Sequence, residues 1–257
     1  MEIIKSNFLE TTGSINVSSN TTASKYLFSS DPTFQYTTTN AGTDATTSSI
    51  TISFDRTMTV NRIALKNHNL KSFTIFYNGV TANTFSITTT SGITNTTNFS
   101  TNSESSMFLR VNSVACTSVT IDMKTTIVPD NEKAIGFLFI SEKILDFPVV
   151  PSADRYKPVL NPNSVEHKLS TGGKRIHKTG DKWQTSIELK YIDQDFRDDL
   201  KEIFDLYDSF SFCPWGTATA WDKILFESCW TNSFDFYKFS ENAATAGFSG
   251  KIDLEEL

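Results

Sequence analysis

A change of hydrophobic period between residues 183 and 207 constrains this chain more than any other feature. Trp183, Thr185, Ile187, Leu189 and Tyr191 alternate with Gln184, Ser186, Glu188 and Lys190, which predicts an antiparallel strand with one face buried. A few residues on, Phe196, Leu200, Ile203, Phe204 and Tyr207 fall at offsets of 4, 7, 8 and 11 from the first of them, the spacing of one helix face. Asp193 stands where an N-cap belongs, and Asp195, Asp198 and Asp199 gather at the positive end of the helix dipole. A capped first turn accounts for these carboxylates more simply than a metal cluster does. Phe210 to Cys213 reads as strand again, and Pro214 ends it. Strand, amphipathic helix and return strand predict an α+β unit that serves as a docking scaffold.

The chain before this unit carries no helical pattern. Thr, Ser and Asn dominate it, a composition that suits antiparallel sheets with wet outer faces. Residues 1–23 read as a leading strand or extended arm, and Ser24 to Asp44 as long loops. Strands are expected at Ile50–Phe54, Arg62–Lys66 and Phe73–Tyr77, the last ending in the hairpin signal Asn78-Gly79, with Phe85 and Ile87 opening the returning strand. Further strands are expected at Met107–Val111 and Val119–Met123. Ala134–Ile140 is almost continuously apolar, the mark of a strand that is central or buried on both faces. Strands at this spacing predict an all-β sandwich over residues 1–146. Pro148, Pro151, Pro158 and Pro162 make residues 147–163 an extended connector, and residues 164–257 form the second domain. Its later strands are expected near Ile224–Cys229, Ser233–Phe239 and Gly247–Leu254, the chain closing at a sheet edge.

A formal net charge of −6 argues against a nucleic-acid surface, which needs clustered Lys and Arg. Lys174, Arg175, His177, Lys178 and Lys182 do cluster, and they read as a solvated hairpin tip. No apolar window reaches the length of a membrane span, and the first residues lack the apolar run of a secretion signal. Cys116, Cys213 and Cys229 lack metal-ligand spacing and are expected to be free thiols. His167 and His177 belong to no recognisable nucleophile–base motif, and no Gly-rich phosphate loop is present. The protein is therefore read as a non-enzyme without a cofactor.

Two family resemblances follow from these segments. Ser49–Gly79, Met107–Ser113, Val119–Met123 and Ile135–Ile144 resemble in order and pattern the strands of the discoidin (F5/8 type C, galactose-binding-like) domain, without the cysteine pair of its secreted members. The resemblance implies a jelly-roll β-sandwich, a fold that often binds sugars, and that can hold a structural Ca²⁺ through loop carbonyls, although no acidic loop demands one here. In that fold Asn67-His68-Asn69, leaving a strand, is the candidate carbohydrate site, with Tyr36, Phe34 or Tyr26 as a stacking face. Loop residues of these types also commonly satisfy backbone groups. The segment from Val165 to Leu257 resembles the tail-tube-like domain of phage tail and distal-tail proteins. Together the resemblances imply a mainly β structural protein of a tailed-phage virion, assembled in the host cytoplasm. It would form a homo-oligomeric ring, such as a hexamer, in the tail tip or baseplate, touching tail-tube and hub proteins. The aromatic-rich segment holding Trp215, Trp221, Trp230, Phe234 and Tyr237 is the candidate ring interface. The alternative is an adhesin whose sandwich attaches the particle to host-surface glycans.

Overall fold

The alternating apolar residues of the first half form strands, and two of these are far longer than their patterns suggest. The computed structural model describes residues 1–11, 13–29, 33–78, 80–81, 98–99, 103–148, 159–168, 173–213, 225–238 and 247–257. They divide into two units, residues 4–144, and residues 1–3 together with those from 145 onward. In chain order the first elements are β1 (Glu2–Lys5), the single turn α1 (Phe8–Thr11), β2 (Gly13–Val17) and a 3₁₀ segment (Thr21–Phe28). They continue as β3 (Tyr36–Thr37), β4 (Ser48–Lys66), β5 (Leu70–Tyr77), β6 (Val80–Thr81), β7 (Asn98–Phe99) and β8 (Met107–Thr126). The last three here are β9 (Ala134–Ile135), β10 (Phe137–Ser141) and β11 (Lys143–Asp146).

The strands expected at Ile50–Phe54 and Arg62–Lys66 are two halves of β4, and those at Met107–Val111 and Val119–Met123 are two halves of β8. Exposed Asp55, Arg56 and Thr57 have the composition of a turn, but the chain stays extended through them and shifts register instead. β4 pairs antiparallel with β8 along its length, Ile52 opposite Val119 and Ile63 opposite Leu109, with shifts between Ser53 and Met58 and between Val60 and Arg62. Such irregularities re-aim side chains. Ile50 and Ile52, then Met58 and Val60, then Ile63 and Leu65 all enter one core. The two halves also have different neighbours. Near Ile50, β4 is flanked by β2, and the facing half of β8 by β5; near Ile63, β4 is flanked by β10. Both layers of a β-sandwich therefore share β4 and β8, and Phe73 and Ile121 from one layer meet Leu109 and Leu138 from the other in a single apolar core. In the β5–β6 hairpin Tyr77 pairs with Val80 and Asn78 has φ 52°, as such a turn requires. Gly79, Phe85 and Ile87 lie outside the described residues.

The apolar run Ala134–Ile140 is interrupted at Gly136, whose amide donates to the carbonyls of Lys66 (3.0 Å) and Asn67 (3.2 Å). A Cβ there would come within 2.8 Å of the Asn67 Cβ. Beyond it, β10 pairs with β4 alone and lies at the end of its layer, so of the two expectations, central or buried on both faces, the second holds. All five of its residues are nevertheless buried, because the N-terminal arm completes its outer edge. Asn7, 0 % exposed, donates from Nδ2 to the Leu138 carbonyl (2.9 Å) and accepts from the Ile140 amide at Oδ1 (3.1 Å). The side chain thus imitates a neighbouring strand. Ser141 Oγ donates to the Lys5 and Ser6 carbonyls, and the Lys5 amide donates to the Glu142 carbonyl.

The later elements are β12 (Val159–Lys168), β13 (Lys174–Ile192), α2 (Gln194–Leu206), β14 (Phe210–Cys213), β15 (Leu225–Trp230), β16 (Phe236–Lys238) and β17 (Phe248–Glu256). The predicted strand–helix–strand order is present. Asp193 caps α2, its carboxylate accepting from the Phe196 amide at 2.8 Å, and Phe196, Leu200 and Ile203 are buried. The sheet order is β11-β1-β14-β15-β17-β13-β12, with β16 beside β17. The last strand is therefore interior rather than at an edge: alternation of Ile252 and Leu254 fixes which face is buried but not which strands lie alongside. β12 begins at Val159, so the end of the expected connector is strand, and Pro162 is tolerated because β12 is an edge. Among the described residues no helix is long and apolar enough to cross a membrane.

Replacing Asn7 by Ala leaves two buried backbone groups of β10 without partners. The substitution is expected to cost about 3 kcal/mol, seen in urea titration as a lower midpoint at unchanged slope.

Candidate functional site

One end of the sandwich carries an aromatic pair on a pinned segment. Asn20 takes a left-handed conformation (φ 52°) ahead of the 3₁₀ segment. Its Nδ2 donates to the Thr37 carbonyl at 2.6 Å, and Ser19 exchanges two hydrogen bonds with Thr39, donating from Oγ to its carbonyl and accepting from its amide. From this base Tyr26 stacks on Phe34, with ring centroids 5.0 Å apart and planes 12° from parallel. Lys25 Nζ lies 5.2 Å from the Tyr26 centroid. Phe34 remains 45 % exposed. A flat apolar ring backed by a second ring and held by hydrogen-bonded backbone can accept the apolar face of a sugar, or another planar group, at little entropic cost.

Tyr36 is not part of that face. It is fully buried, and its hydroxyl donates to the Ser19 carbonyl at 2.7 Å; burial pushes its pKa up to about 12. Its role is to hold the base of the platform. Phe34 and Tyr36 share sequence parity, so only the tertiary structure separates the exposed ring from the buried one.

The triplet Asn67-His68-Asn69 is committed to the loop it forms. Asn67 is exposed and left-handed (φ 51°). His68 is 2 % exposed, accepts at Nδ1 from the Leu70 amide (3.1 Å), and packs edge-on against Phe73. Because Nδ1 accepts, the ring is neutral with its proton on the buried Nε2, and burial lowers its pKa to about 4. Asn69 donates from Nδ2 to the Glu132 carbonyl (2.7 Å) and accepts at Oδ1 from the Ala134 amide (2.9 Å). Two of the three side chains thus join strand ends rather than reach outward, as loop Asn and His commonly do.

The expected interface aromatics part company in the same way. Trp230 and Phe234 pack with Phe204 at centroid distances of 5.3 and 5.6 Å, and Phe234 packs at a tilt against Phe236 at 4.8 Å. The Arg197 guanidinium lies 4.9 Å from the Phe248 ring and 5.6 Å from that of Phe234. These rings join α2 to its sheet. Tyr237 is 61 % exposed and lines an open groove of about 500 Å³ with Glu188, Lys190, Asn232 and Asp235. Trp215 and Trp221 lie outside the described residues. Cys116, Cys213 and Cys229 form no disulfide among the described residues. Among the described residues no group of His, Cys, Asp or Glu is placed to hold a metal ion.

No family model and no curated protein matches the chain. Solved structures similar to just over half of it include the family 32 carbohydrate-binding module of Clostridium perfringens NanJ in complex with galactose. That match has a TM-score of 0.41 at 14 % identity, and covers 54 % of this chain and 100 % of that one. Another is the Clostridium perfringens module CpGH89CBM32-5 in complex with GalNAc-β-1,3-galactose, with a TM-score of 0.39 at 13 % identity, covering 52 % and 99 %. A third is chitosan-binding module 1 from a Paenibacillus sp. IK-5 chitosanase/glucanase, with a TM-score of 0.39 at 16 % identity, covering 52 % and 97 %.

The depressed pKa of His68 has a testable consequence. Below the ordinary imidazole pKa of 6.5 the unfolded chain takes up a proton that the folded chain refuses until about pH 4. Stability is therefore complete above pH ~6.5 and declines toward pH ~4, by about 3 kcal/mol from this group. His68→Asn, whose Oδ1 can still accept from Leu70, is expected to flatten the fall in melting temperature across that window relative to wild type.

Proposed function

We propose that the protein is a non-catalytic glycan-binding attachment protein, in which the sandwich takes a sugar ring against Phe34 and the later unit serves as the tether. The observation that carries this reading is the stacked Tyr26–Phe34 pair, exposed at Phe34 and braced from beneath by Tyr36, Ser19 and Asn20. Exposed aromatic rings on hydrogen-bonded loops supply contact area without the entropic cost of ordering a mobile segment. The reading moves the site from the Asn67–Asn69 loop to the 3₁₀ segment.

A second reading, a ring-forming structural subunit of a tailed-phage tail tip or baseplate, draws support from a different feature. β12 is an edge strand with Val159 and Leu160 half exposed, and the part of β13 before Gln184 pairs with β12 alone. An open edge of this length is a template for pairing with another chain. The two readings are compatible in a virion protein that attaches its particle to host glycans.

Binding is tested by glycan array and titration calorimetry on the full chain, with galactose, GalNAc-β-1,3-galactose and chitosan oligosaccharides as first probes. Phe34→Ala is expected to weaken binding about tenfold, the ~1.4 kcal/mol of one aromatic contact, with melting temperature unchanged. Absence of binding to any glycan would sink the attachment reading. Native mass spectrometry addresses the second: a closed ring is expected if β12 pairs between copies, and a monomer alone and in isolated particles counts against it.

A further inference from the structure

The chain from Asp130 to Ile135 closes over the loop at residues 38–47, and it holds a lysine with no access to solvent. Lys133 is 0 % exposed. Its Nζ donates to the Ala41 carbonyl at 2.5 Å and the Thr43 carbonyl at 3.0 Å. No carboxylate pairs with it among the described residues, so the ammonium is held by backbone oxygens of one loop. An ionised amine is expensive to bury, and carbonyl oxygens converging on one point are the donor set of a hard cation.

The surroundings bind the same loop from the other side. The Glu132 carboxylate accepts from the Thr38 hydroxyl (2.5 Å) and the Ala41 amide (3.3 Å). The Thr38 amide donates to the Lys133 carbonyl, and the Lys133 amide to the Thr38 hydroxyl, both at 2.9 Å. Asp44 Oδ1 accepts from the amide and hydroxyl of Thr126, while the Asp44 amide donates to Asp130 Oδ1. Every carboxylate of the loop is thereby engaged with amides and hydroxyls, and the carbonyls are left facing the ammonium.

A discoidin-like fold, which the sequence resembles, can hold a structural Ca²⁺ through loop carbonyls. The residues present here do not fit one at this loop, because Lys133 already fills the position toward which Ala41 O and Thr43 O point. We propose that Lys133 is a built-in cation: its ammonium organises the 38–47 loop in the way a coordinated metal ion would, and makes closure of this loop independent of metal. Shortening the side chain then leaves a cation site lined by the same carbonyls. Because Tyr36 and Thr37 pair with Ile135 and Ala134 in β3–β9, the clamp also fixes the strand beneath the aromatic platform. The inference does not depend on the platform binding a glycan.

Thermal unfolding of the full chain tests it. The wild-type melting temperature is expected to be the same in calcium chloride and in EDTA. Lys133→Met, which keeps most of the volume but cannot donate, is expected to melt about 10 °C lower, with calcium making no difference. Lys133→Ala is expected to lose at least as much and to recover part of it in propylammonium, which replaces the deleted atoms and charge. Wild-type melting that falls in EDTA and returns with Ca²⁺ would overturn the proposal, as would Lys133→Met melting like wild type, or Lys133→Ala gaining nothing from propylammonium. If neither variant folds, the wild-type comparison decides: chelator-sensitive melting refutes the built-in cation and chelator-insensitive melting supports it.

Discussion

The ladder between β4 and β8 is the constraint on which the sandwich depends. Two strands that run through both layers tie the layers together covalently, so the core between them cannot open by parting one sheet from the other. The arrangement works only if inward parity survives the bends. The shifts near Asp55 and Asn61 achieve this, bringing Ile52, Val60 and Leu65 to one core although they do not share a single period. Asn61 then serves the bend, donating to Ser113 Oγ and accepting from the Lys143 amide.

What the ladder leaves open, polar side chains close. Asn7 supplies the missing neighbour of β10, Asn69 joins the end of β5 to β9, and Lys133 with Glu132 clasps the loop before β4. Each is a polar group with its hydrogen bonds directed at backbone atoms, the condition under which burial is tolerable. The same logic commits His68 and Asn69 to the loop they form. Asn69 spends both ends of its amide on backbone partners, and a neutral buried imidazole offers no charge. Phe34, stacked on Tyr26, stays exposed outside this network.

The later unit follows a different rule. Its helix is attached by aromatic and cation–π packing, Phe204, Trp230 and Phe234 around Arg197 and Lys201, rather than by buried amides. Aromatic density that reads as an interface in sequence is here mostly the seam between α2 and its sheet. Tyr237 alone among the described candidates stays outside.

Local pattern determined the elements. The alternation through Leu189, the Asp193 cap, the Asn78 turn and the alternation in β4 and β8 depend on residues a few positions apart and are present where the sequence places them, whereas Tyr191, expected on the buried face, is 65 % exposed because the register shifts after Leu189 and Ile192 is buried instead. Lateral order was not determined. Alternation in β17 fixes a face and leaves strand neighbours open, and the apolar run of β10 looks the same whether a strand or an Asn7 side chain covers its edge. Nor did residue type separate Phe34 from Tyr36, or mark the lysine in the sequence Asn131-Glu132-Lys133 as the least exposed charge in its loop. Burial of a side chain depends on what the rest of the chain brings against it from many residues away, so the platform, its brace and the internal cation were decided by the tertiary structure alone.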